Sequence, residues 1–413
     1  MFFLYNILIF LSAKVVKLLS LFNPKMALFV DGRKDVFDVL KRSILTTDKT
    51  IWFHAASLGE YEQGLPVMEM VKQKYPNHKI VLTFFSPSGY EVRKNNTMAD
   101  VTVYLPLDTS RNAERFMNLV NPEIAFIIKY EYWPNYLKEL RKRKIRTFLI
   151  SGIFRENQVF FKWYGGFYRE ALKTFERFFV QNEKSQKLLE TLNYSNVTVS
   201  GDTRFDRVAE ILERDNQLDF VSNFKGDSHL IVVGSSWPKD EENLLDFINS
   251  APAFAKFIIA PHNIKEEQIL AFAEKIQVLT ILYSKKGTED LSTFKVLIVD
   301  TVGLLTKIYS YADIAYVGGG FGNPGIHNIL EPATFGIPIV VGPNYSHFAE
   351  AVEIIKIDAA ISVKNATELH SALRKLLSSP LLQSEYGSKA SQFVQKHKGA
   401  TETILNYLQN DNI

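Results

Sequence analysis

The strongest constraint on this chain is a recurring alternation of short apolar runs with stretches of helical spacing. Ile51–Ser57, Lys79–Phe85, Val101–Leu105, Ile124–Ile128, Arg146–Ile150, Phe178–Gln181 and Val197–Ser200 all read as buried strands. Between the first two, Leu65, Met68 and Val71 fall on one face of a helix covering Glu60–Lys74. Continuous β-branched runs separated by helices predict parallel sheets covered on both faces. The rhythm restarts with His229–Gly234, Phe257–Ala260, Gln277–Leu282, Lys295–Val299, Ile314–Val317 and Ile337–Val341. The polar stretch 213–228 between the two series reads as a linker. The expectation is therefore two α/β domains, 31–212 and 229–390, with a cleft between them where ligands bind. An amphipathic C-terminal tail, 391–413, is expected to pack back on the first domain.

Residues 1–30 differ from the rest. The run Met1–Ala13 is apolar but short of the roughly 20 residues that a spanning helix needs, and Lys14 and Lys17 interrupt it. The charges follow the apolar run, which is the wrong order for a signal peptide. Three readings stay open: an interfacial anchor, a single span with snorkelling lysines, and a buried core helix. Both membrane readings place the body of the protein on the cytoplasmic side, because Lys14, Lys17, Lys25, Arg33 and Lys34 follow the apolar segment. The net charge of +3 gives no global field for nucleic acid. The absence of cysteine removes disulfides, thiolate metal sites and a thiol nucleophile.

Four motifs stand at expected strand ends. In His54-Ala55-Ala56-Ser57-Leu58-Gly59-Glu60, a carboxylate opens a helix, either as a charge that suits the helix dipole or as a general base. In Lys129-Tyr130-Glu131-Tyr132-Trp133-Pro134-Asn135, Glu131 follows a strand and Pro134 starts a helix. Gly201-Asp202-Thr203-Arg204-Phe205-Asp206 offers Arg204 for an anion, or is a turn with an internal ion pair. The stretch from Gly318, Gly319, Gly320 and Gly322 to His327, Asn328 and Glu331 has the form of a glycine-rich turn that lets backbone N–H groups approach a phosphate. Walker, GxSxG, HExxH and Asp-x-Asp patterns are absent, so neither a metal nor a cofactor is expected.

Taken together, the His54–Glu60 stretch, Leu105-Pro106-Leu107-Asp108, Glu131-x-Trp133-Pro134-Asn135, Gly201-x-x-Arg204-Phe205-Asp206 and His327-Asn328-x-Leu330-Glu331-Pro332 resemble the Kdo (3-deoxy-D-manno-octulosonic acid) transferases of lipopolysaccharide biosynthesis, over essentially the whole chain. The resemblance implies a GT-B-type fold of two facing Rossmann-like domains and an inverting, metal-independent transfer of Kdo from CMP-Kdo to a membrane-embedded lipid A precursor. Glu60 would be the base and Glu131 a second acid or an acceptor-positioning group. Arg204, Ser235, Ser236, His262, Gly318, Gly319, Gly320, Gly322, His327, Asn328 and Glu331 would hold the donor. The chain departs from the family pattern at Lys129 (Glu in many members), Arg204 (Lys), Ile326 (Gly), Ala260-Pro261-His262 (which lacks an arginine), His347 (Asn) and Ser151-Gly152-Ile153 (Asn-Ala-Arg). A soluble nucleotide-sugar epimerase or hydrolase of the same fold, and an inactive membrane scaffold, are the rival expectations.

Overall fold

A computed structural model describes residues 2–410. Met1 of the expected anchor and residues 411–413 of the expected C-terminal tail lie outside that range. The first sheet contains β1 (Lys49–Ala55), β2 (His78–Phe84), β3 (Val101–Tyr104), β4 (Pro122–Ile128), β5 (Arg146–Gly152), β6 (Arg177–Val180) and β7 (Val197–Val199). All its pairings are parallel, in the order β3-β2-β1-β4-β5-β6-β7. The second contains β8 (His229–Ser236), β9 (Ala255–Pro261), β10 (Thr280–Leu282), β11 (Val296–Ile298), β12 (Ile314–Val317), β13 (Ile339–Val341) and β14 (Ala360–Ser362). Its order is β10-β11-β9-β8-β12-β13-β14, again parallel. The edge strand β14 was not expected. Three residues, Ala-Ile-Ser, are too few to set a hydrophobic period.

The strands are buried on both faces, as continuous apolar runs require. In the first unit Ile51, Phe53 and Ala55 join one core with Ile80, Leu82, Ile124 and Phe126. Trp52, Val81, Ala125 and Ile127 point the other way into a second core. The period of two in side-chain direction is thus visible inside runs that carry no polar alternation. The second unit repeats this, with Ile231 and Val233 on one face and Leu230 and Val232 on the other.

The two compact units are 1–207 with 398–413, and 208–397. The stretch 213–228 is therefore not a free linker. It contains the helix Asp219–Lys225, whose Val221 and Phe224 are buried in the second unit's core. The Tyr311 hydroxyl accepts the Leu218 N–H at 2.6 Å, tying down the entry to that helix. A polar composition hid the buried pair Val221 and Phe224.

The C-terminal amphipathic stretch is two helices, Pro380–His397 and Ala400–Asn410, which belong to different units. Gly399, at φ +111°, makes the break. Asp206 then caps the second helix. One carboxylate oxygen accepts the Gly399 N–H at 2.5 Å, and the other accepts the Thr401 N–H and hydroxyl at 2.7 Å each. Ile404, Leu405 and Leu408 thereby reach the first unit's core. Asp206→Ala should cost about 1–2 kcal/mol through the lost cap. Calorimetry should show a fall in Tm of roughly 2–8 °C, with the C-terminal helix first to lose amide-exchange protection.

Candidate functional site

In each sheet the strand order reverses beside the first strand, and in the second sheet β11 also inserts between β9 and the edge strand β10. The reversal lies between β1 and β4 in the first unit and between β8 and β12 in the second. Loops leaving the C-terminal ends of two such strands diverge and open a crevice. The sequence motifs fall at these two places.

At the first reversal, β1 ends at Ala55 and the helix Leu58–Lys74 begins three residues later. Glu60, in its first turn, reaches back so that its carboxylate accepts the Ala56 N–H. That is the capping role its position suggests. A capping carboxylate is ordinarily stabilised as the anion, yet Glu60 is pushed up to about 7. Burial is the main cause, since the residue is only 4% exposed, and the negative charge of Glu131 adds to it. The Ala56 and Ser57 N–H groups and Lys129 oppose the rise without cancelling it.

Glu131 follows β4 and is held from its own loop. The Trp133 indole N–H is shared between Glu131 Oε2 at 2.9 Å and His54 Nε2 at 3.1 Å. Because that ring nitrogen accepts, His54 carries its proton on Nδ1 and donates to Thr83 Oγ1 at 2.8 Å. The Trp52 indole donates to the same hydroxyl at 2.8 Å. A buried relay of hydrogen bonds thus fixes the second carboxylate beside the first. An open pocket of about 370 Å³ lies next to Glu131, lined by Tyr130, Tyr132, Gln158 and Tyr168 among others.

Arg204 lies in this first unit rather than with the other residues expected to hold the donor. Its Nε and Nη2 donate to Asp202 Oδ2 at 2.9 and 2.8 Å, and Gln63 Nε2 donates to Asp202 Oδ1 at 3.0 Å. Burial pushes the Asp202 carboxyl up, but the Arg204 charge and these hydrogen bonds win and hold it below its usual value. The motif is therefore a built ion pair packed on the helix that carries Glu60. Asp108 is also structural. It accepts the N–H groups of Asn135 and Tyr136 at 3.1 Å each, and so caps the helix that follows Trp133.

At the second reversal, Ser235, the last residue but one of β8, is left-handed, φ +53°. The Ser236 hydroxyl is turned inward and donates to Glu241 Oε1 at 2.8 Å. In the glycine-rich turn after β12, three of the backbone N–H groups are turned into the fold. The Gly318 N–H donates to Gly234 O at 2.8 Å, that of Gly319 to Asp240 Oδ2 at 2.7 Å, and that of Gly322 to Gly319 O at 3.0 Å. These N–H groups are already committed. The glycines serve close packing instead: a Cβ on Gly320 would stand 2.7 Å from the Gly342 backbone, and Gly319 has φ +93°.

The buried Asp240 organises this end. Besides Gly319, it accepts the Trp237 N–H at 2.9 Å and the Tyr316 hydroxyl at 2.6 Å. Trp237 in turn donates its indole N–H to His327 Nε2 at 3.0 Å. The ring of His262 stacks on both, with centroids 4.8 Å from Trp237 and 4.2 Å from His327. Burial, and then the neighbouring His262, lower His327 to about 4, so its ring is neutral at ordinary pH. Asn328 donates to Glu331 Oε1 and the Thr306 hydroxyl to Oε2, each at 2.9 Å. Trp237 and Asp240 were missed in the sequence. The one signal for them was the Trp-Pro pair opening a helix after a strand, as at Trp133-Pro134. Among the described residues, no group of three or more His, Asp or Glu is placed to hold a metal ion.

Two Rossmann-like units, each with its polar residues gathered at the reversal, define the GT-B class shared by glycosyltransferases and nucleotide-sugar epimerases. A UDP-GlcNAc 2-epimerase from Neisseria meningitidis has this fold, with a TM-score of 0.62 at 15% identity over 88% of this chain and all of that one. A family model described as "3-Deoxy-D-manno-octulosonic-acid transferase (kdotransferase)" matches residues 33–207. The 3-deoxy-D-manno-octulosonic acid transferase of Aquifex aeolicus is 29% identical over 83% of this chain and 91% of its own length. That of Chlamydophila psittaci is 27% identical over 88% and 86%. The chain is similar to Kdo transferases over most of its length, with the family model matching its first unit, and is a glycosyltransferase.

Two outcomes follow from this geometry. Burial raises the Glu60 pKa from its unfolded value of 4.5 to about 7, so the fold favours the protonated form. Its stabilising contribution is complete below about pH 4.5 and is lost as pH rises through 7. Isotope-edited infrared titration should place the Glu60 carboxyl near 7, and Glu131→Gln should lower that value. In the second unit, Asp240→Ala leaves three donors without their acceptor and should lower Tm by roughly 5–10 °C in calorimetry.

Proposed function

We propose that this chain moves Kdo from CMP-Kdo to a lipid A precursor of the lipid IVA type, with inversion and without a metal, at the cytoplasmic face of the inner membrane. The observation that carries the reading is the buried, proton-binding Glu60 beside Glu131 at the sheet reversal of a chain similar to Kdo transferases. A carboxylate that titrates near neutrality is suited to general-base work, because it is both available and strong enough to take a proton.

In this mechanism Glu60 removes the proton from an acceptor hydroxyl. The oxygen forms its bond to the anomeric carbon of Kdo as the bond from that carbon to the phosphate oxygen breaks on the opposite face. CMP leaves with the electron pair, and the proton stays on Glu60. Glu131 acts through Glu60: its fixed negative charge raises the affinity for the proton. Its loop, held by Trp133, also orders the acceptor side. Arg204, pre-aligned by Asp202, serves the Kdo carboxylate. On the donor side Ser235 and the stacked rings of His262 and His327 meet the nucleotide, and Asn328 and Glu331 meet its ribose. Gly318, Gly319, Gly320, Gly322 and Ser236 shape that pocket by packing rather than by direct contact.

The membrane assignment rests on the N-terminal helix Phe2–Leu19. None of its residues is buried, which removes the core-helix reading. Its first turns are bonded to the first unit: the Tyr5 hydroxyl donates to Asp108 Oδ2 at 2.7 Å, and Asn6 Oδ1 accepts the Ser110 N–H at 3.0 Å. Its far end returns to the same unit beside Phe29 and Arg33. A spanning helix of about 27 Å would carry one end away to the other side of the bilayer. In this reading the helix lies in the interface, and its exposed Phe3, Leu4, Leu8, Leu11, Leu18 and Phe22 supply the apolar surface for lipid.

The test is a transfer assay in detergent with CMP-Kdo, a tetraacyl lipid A precursor and EDTA, read by mass. A gain of one or more Kdo units is expected. Glu60→Gln should slow the reaction by about 10²–10⁴ while CMP still binds. Epimerised or hydrolysed donor with no acceptor gain would instead support the rival epimerase or hydrolase reading.

A further inference from the structure

The inner face of the N-terminal helix is a narrow stripe. Phe2, Tyr5, Asn6, Ile9, Ala13, Val16 and Ser20 are half-buried at helical spacing, while their neighbours are exposed. Its first part is sealed against the first unit by the Tyr5 and Asn6 hydrogen bonds and by Phe2, which meets Phe167 at 4.8 Å. Further along, the helix stands off the unit and leaves a slot of about 550 Å³. Ile9, Ala13 and Val16 form one wall, and Phe29, Phe37 and Trp133 line the rest.

Three features identify what fits there. The lining is mostly apolar, and its polar members Arg33 and Asp108 are already bonded within the fold. Arg33 donates to the carbonyls of Leu105, Phe29 and Phe85 at 2.9, 2.8 and 2.6 Å and lies over the Phe29 ring. The volume is in the range of a ligand pocket, and the outer face of the same helix is exposed apolar surface. Trp133 lines both this slot and the pocket beside Glu131, and its indole N–H is bonded to Glu131 and His54. A chain lying in the slot would thus run from the membrane side to the catalytic carboxylates. Lys17, exposed on the same helix, adds a positive charge for a phosphorylated headgroup.

We propose that this slot holds one acyl chain of the lipid acceptor, so that the N-terminal helix is a wall of the acceptor site as well as an anchor. This rests on the acceptor being an acylated lipid, as in the function proposed above. The chain fixes the headgroup against Glu131 and Glu60, and the burial of its methylenes supplies affinity that a soluble sugar would lack.

The experiment uses the full chain in nanodiscs and a tetraacyl lipid A precursor with a diazirine at the end of one acyl chain. After irradiation, adducts are mapped by mass. Adducts on Ile9, Ala13, Val16 or Phe37 are expected. Adducts confined to the outward residues Leu4, Leu8 and Leu11, no adducts at all, or equal slot labelling by a phosphatidylethanolamine with the same probe would each overturn the proposal. In the transfer assay, Ala13→Phe fills the slot. It should raise the KM for the tetraacyl acceptor roughly tenfold more than that for a deacylated one, a change equivalent to about two buried methylenes. An equal effect on both acceptors would also count against the slot. Crosslinking does not depend on turnover, so failure of the wild-type chain to transfer Kdo would refute the proposed reaction separately.

Discussion

The structure depends on one constraint of parallel sheets: each strand must be re-entered from the same end, so every connection crosses a face of the sheet. When successive crossovers build outward in both directions from a first strand, the two connections that flank it cover opposite faces. Their loops part at its C-terminal end. Here β1 and β8 are those first strands. Glu60, Glu131 and His54 gather at one parting, and Ser235, Trp237, His327 and the glycine turn at the other. No local preference of these residues would bring them together; the topology does.

Each parting is then stiffened in the same way, by a tryptophan that donates its indole N–H to the Nε2 of a buried or partly buried histidine. Trp133 does this for His54 and Trp237 for His327. In both cases Trp precedes a proline that starts a helix, so the helix start fixes the indole and the indole fixes the imidazole. The indole N–H of Trp237 favours the unprotonated Nε2 of His327. The low value of His327 agrees with this, although burial is its main cause. Neutral rings can stack on one another as His262 and His327 do, without the repulsion that two cations would bring.

Much of this was legible in the sequence, because the signals were periodic or positional. The strands were readable from uninterrupted apolar runs, and Glu60 and Glu131 from their places after strands. What was not legible depends on partners distant in the chain. The helix Asp219–Lys225 looks like a linker until its Val221 and Phe224 meet the second core. The break at Gly399 has its meaning only through Asp206, almost two hundred residues earlier. Gly318–Gly322 has the composition of a phosphate loop. Whether its N–H groups are available depends on Asp240 and Gly234, which no local pattern reveals. For Arg204 the sequence left open an anion site or an internal ion pair, and the fold shows Asp202 and Gln63 arranged around it.

The N-terminal helix shows the same limit in a different solvent. By composition it is apolar on almost every side, so periodicity could not choose between spanning, lying and burial. What the structure adds is how the helix meets the first unit, through a few polar atoms. Tyr5 and Asn6 on the inner stripe bond to the Asp108 and Ser110 region, and Asp108 also caps the helix that begins after Trp133. One buried carboxylate therefore joins the N-terminal helix to the loop that carries Glu131. Burial raises that carboxylate to about 6, against the hydrogen bonds that favour its anion. It remains mostly ionised at neutral pH and keeps both attachments. The N-terminal helix and the loop that carries Glu131 are thus held by the same side chain, so a shift of one is transmitted to the other.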